Sequence, residues 1–209
     1  MKIGLSLGIS RLSSGNGGGP TTFDASFTPI ARLSNNNLTL TGGAGANYPM
    51  GRSTTTKTSG KYYMELYNPE STHFHIGVCL PTFPYSAAGA FDSDNRQTSV
   101  TAFGSGSKDG ATNTTGIASV QPEIGPYLQV AIDFDNGKIW IKPSGGTKWN
   151  GIVGDNPATN TGGYTFGTSL GVGASLHVFF TSITTFALTA NFGATTFQQT
   201  PPTGFVAWG

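Results

Sequence analysis

Apolar and polar residues alternate along much of this chain, and the alternation has a period of two rather than 3.6. The clearest case is Tyr127–Ile141. There Leu128, Val130, Ile132 and Phe134 alternate with Gln129, Ala131, Asp133 and Asp135, the pattern of a strand with one buried face. Asn136-Gly137 follows, a pair that accepts the positive φ angles of a type I′ hairpin turn. A two-residue loop of that kind pairs Asp135 with Lys138, Phe134 with Ile139 and Asp133 with Trp140. It leaves Asp133 and Asp135 on a solvated face. Shorter strands are predicted at Asn37–Thr41, Lys61–Tyr67, Phe74–Leu80, Ser99–Phe103 and Gly116–Val120. Leu176–Phe180 and Thr185–Phe192 read as a second strand pair, with Phe186, Leu188, Ala190 and Phe192 on one face. Ser144–Thr168, rich in Gly, Asn and Thr, reads as a long loop. About ten strands without a helical pattern predict an all-β chain, an antiparallel two-sheet β-sandwich.

Residues 1–22 stand apart. Ile3, Leu5, Leu7 and Ile9 alternate with Gly and Ser, and SSGNGGGP (Ser13 to Pro20) follows as a flexible tether. Such a strand is either an extra edge strand of the same domain or an arm that adds a strand to another subunit. The expected division is an N-terminal docking arm and linker over 1–22 and a sandwich over 23–209.

Composition narrows the function classes. Only 10% of the 209 residues are charged and the net charge is +1, against about 25% charged in an average domain. The eleven basic residues are scattered, which argues against nucleic acid as a partner. Cys79 is the single cysteine and lies in the apolar run Ile76–Leu80, so it reads as a small buried hydrophobe. Folding without disulfides fits synthesis in a reducing cytoplasm. No apolar stretch approaches the roughly 20 residues of a membrane span, so no membrane insertion is expected. MKIGLSLGIS is too broken by Gly and Ser to serve as a signal-peptide core.

Four segments carry a family resemblance. Ser59-Gly60-Lys61-Tyr62-Tyr63-Met64-Glu65 resembles the opening strand of SPRY domains, and Ile76-Gly77-Val78 the next strand. YLQVAIDFDNGKIWI resembles the central hairpin of the family. Leu188 to Trp208, with Asn191-Phe192-Gly193 and Pro201-Pro202-Thr203-Gly204-Phe205, resembles the closing strand. The match covers roughly residues 55–209 and keeps the order of the family. It implies a concanavalin A-like, SPRY-type sandwich and a binding module that is not an enzyme. The Gly/Ser-rich arm, low charge and Thr/Asn-rich body look more like a bacteriophage virion protein than a eukaryotic member. The resulting expectation is a tail, fibre or head-associated virion component, synthesised in the host cytoplasm. It would dock through its arm to other virion proteins, form a homo-oligomer, and present loops to a host-surface glycan or protein. The alternatives are a purely structural or decoration virion protein and, third, a carbohydrate-active enzyme on the same fold.

Candidate chemistry is sparse. A glycosidase needs two carboxyl groups about 5–10 Å apart across a cleft. Yet the three glutamates, Glu65, Glu70 and Glu123, are scattered, and Asp133 and Asp135 share one strand face at i and i+2, with Asp135 paired to Lys138 beside the turn. Asp92-Ser93-Asp94-Asn95 begins like a calcium loop, but the twelfth position is Phe103 rather than Glu. His73 and His75 share a strand face, and three copies around a threefold axis would gather six imidazole nitrogens. That arrangement resembles metal sites in some phage tail-tip proteins, whereas a solvent-facing pair without metal is the plainer reading; no cofactor is expected. His177 sits among apolar neighbours and reads as structural. No G-x-S-x-G or phosphate-loop motif is present. Binding surface remains. Tyr85, Trp149 and Tyr164 fall in turn-rich segments beside Arg96 and Asp155, a mixture suited to sugar or peptide recognition. The competing reading has these aromatics plugging the open ends of the sandwich.

Overall fold

A computed structural model describes residues 20–29, 32–42, 50–68, 74–85, 96–102, 107–109, 112–114, 126–166, 170–182 and 187–209. Ile3, Leu5, Leu7, Ile9, residues 13–19 of the tether, His73, the Asp92–Asn95 run, Gly116–Val120 and Phe186 lie outside these residues. The strands are β1 (Leu33–Ser34), β2 (Thr39–Thr41), β3 (Met50–Lys57), β4 (Lys61–Tyr67), β5 (Phe74–Cys79), β6 (Gln97–Ala102) and β7 (Ser107–Asp109). They continue with β8 (Thr112–Thr114), β9 (Tyr127–Asp133), β10 (Lys138–Pro143), β11 (Tyr164–Thr165), β12 (Leu176–Ser182), β13 (Ala187–Asn191) and β14 (Val206–Ala207).

Two sheets form. One runs β1-β2-β13-β4-β9-β10-β11, with β14 added parallel to β4, and the other runs β3-β12-β5-β6-β7-β8. The all-β sandwich expected from the alternation is present. Inward positions of both sheets meet in one core, where Met64, Leu66, Val130 and Ile132 face Val78 and Phe180. Phe23 is fully buried there, edge-on to Phe180 at 5.2 Å and to Phe192 at 5.8 Å.

The β9–β10 turn differs from the two-residue loop. Asp133 pairs with Lys138 and Ile132 with Ile139, so Phe134–Gly137 form a four-residue connection. The physical reason is the Asp133 side chain. It accepts from Asn136 N at 3.0 Å and Asn136 Nδ2 at 2.8 Å, which closes a wider turn than a type I′ pair. Gly137 keeps the positive φ, 61°. Asp133 is consequently fully buried, 3.3 Å from Lys61 Nζ, and does not stand on a solvated face. Asp135 is exposed as expected, but it accepts from Gly60 N at 2.8 Å instead of pairing with Lys138.

Two further expectations are corrected, and one strand is new. β12 and β13 are not a pair: β12 lies between β3 and β5, and β13 between β2 and β4 in the opposite sheet. Both strands turn an apolar face to the same core, so their patterns look alike. The segment 144–166 is also more ordered than a loop, with short 3-10 turns at Trp149–Gly151 and Pro157–Thr159 and strand β11 against β10. Strand β3 has no counterpart in the sequence reading. Its residues MGRSTTTK lack apolar alternation, and its edge is covered by Thr21–Asp24 through Asp24 N to Arg52 O and Thr54 N to Thr22 O, both 2.8 Å. Gly51 leaves the room that the Phe23 ring fills, since a Cβ there would lie 3.1 Å from that ring.

His177 on β12 is buried, with Nδ1 2.6 Å from the Ser53 carbonyl oxygen, in keeping with a structural role. Burial pulls its pKa below the ordinary 6.5; the bond to Ser53 opposes this in part, Arg52 adds to the lowering and Asp24 counters it. The folded state therefore binds this proton less well than the unfolded chain does. The resulting stability is complete above pH 6.5 and is lost as pH falls from there through the folded value. Urea midpoints measured from pH 7.5 downward are expected to drop below about pH 6.5 in the parent and to drop less in His177→Gln. Equal drops in both proteins would assign the pH dependence to other groups.

Candidate binding groove on the outer sheet face

The face of β4 turned away from the core carries Lys61, Tyr63, Glu65 and Tyr67, which pair across to Asp133, Ala131, Gln129 and Tyr127 of β9. Trp140 of β10 lies opposite Ala131. A solvated sheet face would hold polar residues here. Instead Tyr63, Ala131 and Trp140 are fully buried, beneath Phe205 and Phe197. The Phe197 ring meets the Tyr63 ring edge-on, with centroids 4.8 Å apart.

Sheet register explains the covering. β13 pairs with β4 as far as Asn191 opposite Glu65, and β14 rejoins β4 at Val206 opposite Tyr62. Residues 192–205 thus leave the sheet and return to it, folding over its outer face. Asn191 shapes the departure: Oδ1 accepts from Gly193 N at 3.0 Å, and Nδ2 donates to Thr195 O at 3.1 Å. Gly193 has φ 118°, and a Cβ there would collide with Ala207 Cβ.

Glu65 pins the segment. It is only 2% exposed. Oε1 accepts from Tyr63 Oη at 2.9 Å and Gln199 N at 2.7 Å, and Oε2 accepts from Gln198 N at 2.7 Å. Burial, and then the Glu65 charge, hold the Tyr63 phenol well above its ordinary value of 10.0. This carboxylate is a peg for the chain.

Beyond the peg the face opens. Tyr67 and Tyr127 stand directly opposite each other, with ring centroids 5.1 Å apart and planes tilted by 46°. Tyr67 is 38% exposed. With Thr189, Thr195, Thr196 and Gln198 they line a groove of about 240 Å³, floored by Glu65 and Asn191.

The residues predicted as a binding surface fall into two groups on different sheets. Tyr85 and Arg96 flank the β5–β6 connection. The Tyr85 ring sits edge-on to Phe27 at 5.7 Å, and Arg96 Nη1 donates to Thr82 O at 2.8 Å. Trp149, Asp155 and Tyr164 belong to the segment after β10. Trp149 packs against the cluster of Tyr63, Ala131, Trp140 and Phe205, with Lys142 Nζ 4.9 Å from its ring centroid. Asp155 Oδ2 accepts from Asn150 Nδ2 at 2.9 Å and from Gly163 N at 3.2 Å. Tyr164 is not in a loop but in β11, opposite Ile139 and packed on the core. His75 is half-buried on β5, opposite Thr101 and Thr181. Among the described residues no three His, Cys, Asp or Glu side chains gather.

Sequence reasoning did not find the groove. Its trace was there: Tyr63 and Trp140 occupy outward positions of otherwise alternating strands, which marks a covered face.

No family model matches the chain, and no curated protein matches it by sequence. Solved structures do. The chain is similar to the SPRY domain of human HERC1, with 16% identity and TM-score 0.55 over 83% of this chain and 99% of that one. It is similar to the TRIM65 PSpry domain, with 14% identity and TM-score 0.54 over 82% of this chain and 88% of that one. It is also similar to stonustoxin, with 12% identity and TM-score 0.57 over 82% of this chain and 27% of that one. The fold is therefore the SPRY-type, concanavalin-like sandwich that the four sequence segments implied. These likenesses bring no indication of a bacteriophage source.

Proposed function

We propose that this chain is a non-catalytic binding module whose recognition surface is the outer-face groove. The observation that carries this is the Tyr67–Tyr127 pair, Tyr67 exposed and Tyr127 half-buried, beside threonine, asparagine and glutamine side chains above the Glu65 floor, an arrangement suited to recognition. The carboxylates whose side chains are described serve the architecture instead. Asp24 pairs with Arg52, Glu65 holds the C-terminal segment, Asp133 closes the β9–β10 turn, Asp135 ties that turn to Gly60, and Asp155 fixes the β10–β11 segment. The setting we propose is a virion, with the N-terminal arm docking the module to other virion proteins or to further copies of the chain. The support for that setting is the charge-poor, Gly- and Thr-rich composition and the tether.

A second reading, a decoration protein whose surfaces only contact neighbouring subunits, draws on the ties of Arg96 and Asp155 to their own segments. Displays of immobilised peptides and glycans separate the two. The full chain is expected to be retained on a subset of spots without cleaving them, and Tyr67→Ala with Tyr127→Ala to lose that retention. Hydrolysis of any spot, or retention indifferent to both tyrosines, would overturn the reading.

A further inference from the structure

The chemistry of the groove selects among ligands. Among the described residues no lysine or arginine lines it, and both oxygens of Glu65 already accept hydrogen bonds from the chain. It therefore offers no charge complement to a phosphate, a sulfate, a carboxylate or a cation. The strands beneath it are internal, β4 being paired with β13 on one side and β9 on the other. An extended peptide laid there finds no free backbone edge, and its own N–H and C=O groups would lose water without replacement. What the groove does offer is two phenol rings, three threonines and a glutamine amide. Thr195, Thr196 and Gln198 are solvent-exposed.

We propose that the groove binds a pyranose unit of a neutral oligosaccharide, an inference that rests on the reading of the chain as a binding module. The apolar C–H face of the sugar ring stacks on Tyr67 and Tyr127, and its hydroxyls exchange water for the threonine hydroxyls and the Gln198 amide. Size agrees. Pockets for drug-sized ligands begin at about 300 Å³, and this groove of about 240 Å³ suits one ring. A larger depression of about 590 Å³ runs along residues 193–201 and shares Thr195, Thr196 and Gln198 with it. A neighbouring sugar unit occupies that depression, which makes the ligand an oligosaccharide.

The test uses the full chain on a glycan display carrying neutral gluco-, manno-, galacto- and N-acetylglucosamine oligosaccharides beside sialylated and sulfated ones, with peptides as a third arm. Titration calorimetry then follows on the best neutral glycan. Retention on neutral glycans is expected, with no preference for acidic ones. Tyr67→Ala should weaken binding roughly tenfold or more, while Tyr67→Phe stays within about twofold because the ring face is kept. Thr195→Ala combined with Gln198→Ala, on the exposed segment, gives a second variant expected to weaken binding without changing the melting temperature. The proposal is overturned if no neutral glycan is retained, if acidic glycans bind more tightly, or if binding survives in folded Tyr67→Ala and in folded Thr195→Ala with Gln198→Ala. Tyrosine-dependent retention on peptides alone would overturn the sugar assignment and leave the binding module standing. If no ligand of either kind responds to the tyrosines, both fall.

Discussion

Replacing Glu65 by Ala is expected to lower stability by about 3 kcal/mol, measured as the free energy of urea unfolding. Three donors lose their acceptor at once: the Tyr63 hydroxyl and the backbone N–H groups of Gln198 and Gln199. A buried donor left without a partner costs about 1–3 kcal/mol, and bonds to a charged acceptor are the stronger kind. The loss also propagates. Residues 192–205 are held over the outer face by these bonds and by Phe197 on Tyr63, so Tyr63 and Trp140 become accessible and the groove loses one wall. Glu65→Gln keeps the volume and one acceptor oxygen and should fall between parent and Ala variant. Near-ultraviolet circular dichroism is expected to change with the Ala variant before global unfolding. A loss under about 1 kcal/mol in Glu65→Ala would mean that the segment is held by its aromatic contacts alone.

The sequence made one level of this architecture plain and hid another. Alternation fixes which side chains face inward, so Lys61–Tyr67, Tyr127–Asp133 and the inward set Leu188, Ala190 and Phe192 are legible in the sequence. It does not say which strand lies alongside, because any strand of the sandwich presents the same kind of face. Hence β12 and β13 looked like a pair although they belong to opposite sheets. β3 escaped because Gly51 and Ser53 stand where large apolar residues would signal a strand, and Phe23 fills the space from another segment. Asp133 shows the same limit for a single residue. An aspartate on an alternating strand reads as solvated, yet its turn-closing bonds and the approach of Lys61 take it out of water. The groove was hidden for a longer-range reason. It exists only because residues 192–205 leave the edge of β4 and come back to it, and no local pattern encodes that return. The Pro201–Phe205 run, which carries part of the SPRY resemblance, lies in that segment.

Gly163→Ala is expected to cost about 2 kcal/mol more than Gly154→Ala, although both glycines occupy the left-handed region. Gly163 has φ +87° and Gly154 φ +95°, so an added Cβ is strained at either by about 1 kcal/mol. Their surroundings differ. A Cβ at Gly154 meets nothing within 4 Å, whereas one at Gly163 lies 2.5 Å from Trp140 Cε2 and 2.6 Å from Cζ2. That indole is fully buried and anchored by its Nε1 donating to Thr161 O at 3.0 Å, so it cannot swing aside cheaply. Urea unfolding of the two variants measures the difference, and the near-ultraviolet signal of Trp140 reports where it arises. Equal losses would place the strain in the backbone alone and remove the packing account. The same pair tests the location of recognition. Gly163 N is tied to Asp155, so displacement there loosens the segment that carries Trp149, Asp155 and Tyr164. Because the groove is built from β4, β9, β13 and the segment beyond β13, ligand retention by folded Gly163→Ala should match the parent. A selective loss of retention in that variant, with retention kept in Tyr67→Ala, would move the recognition surface to the β10–β11 segment.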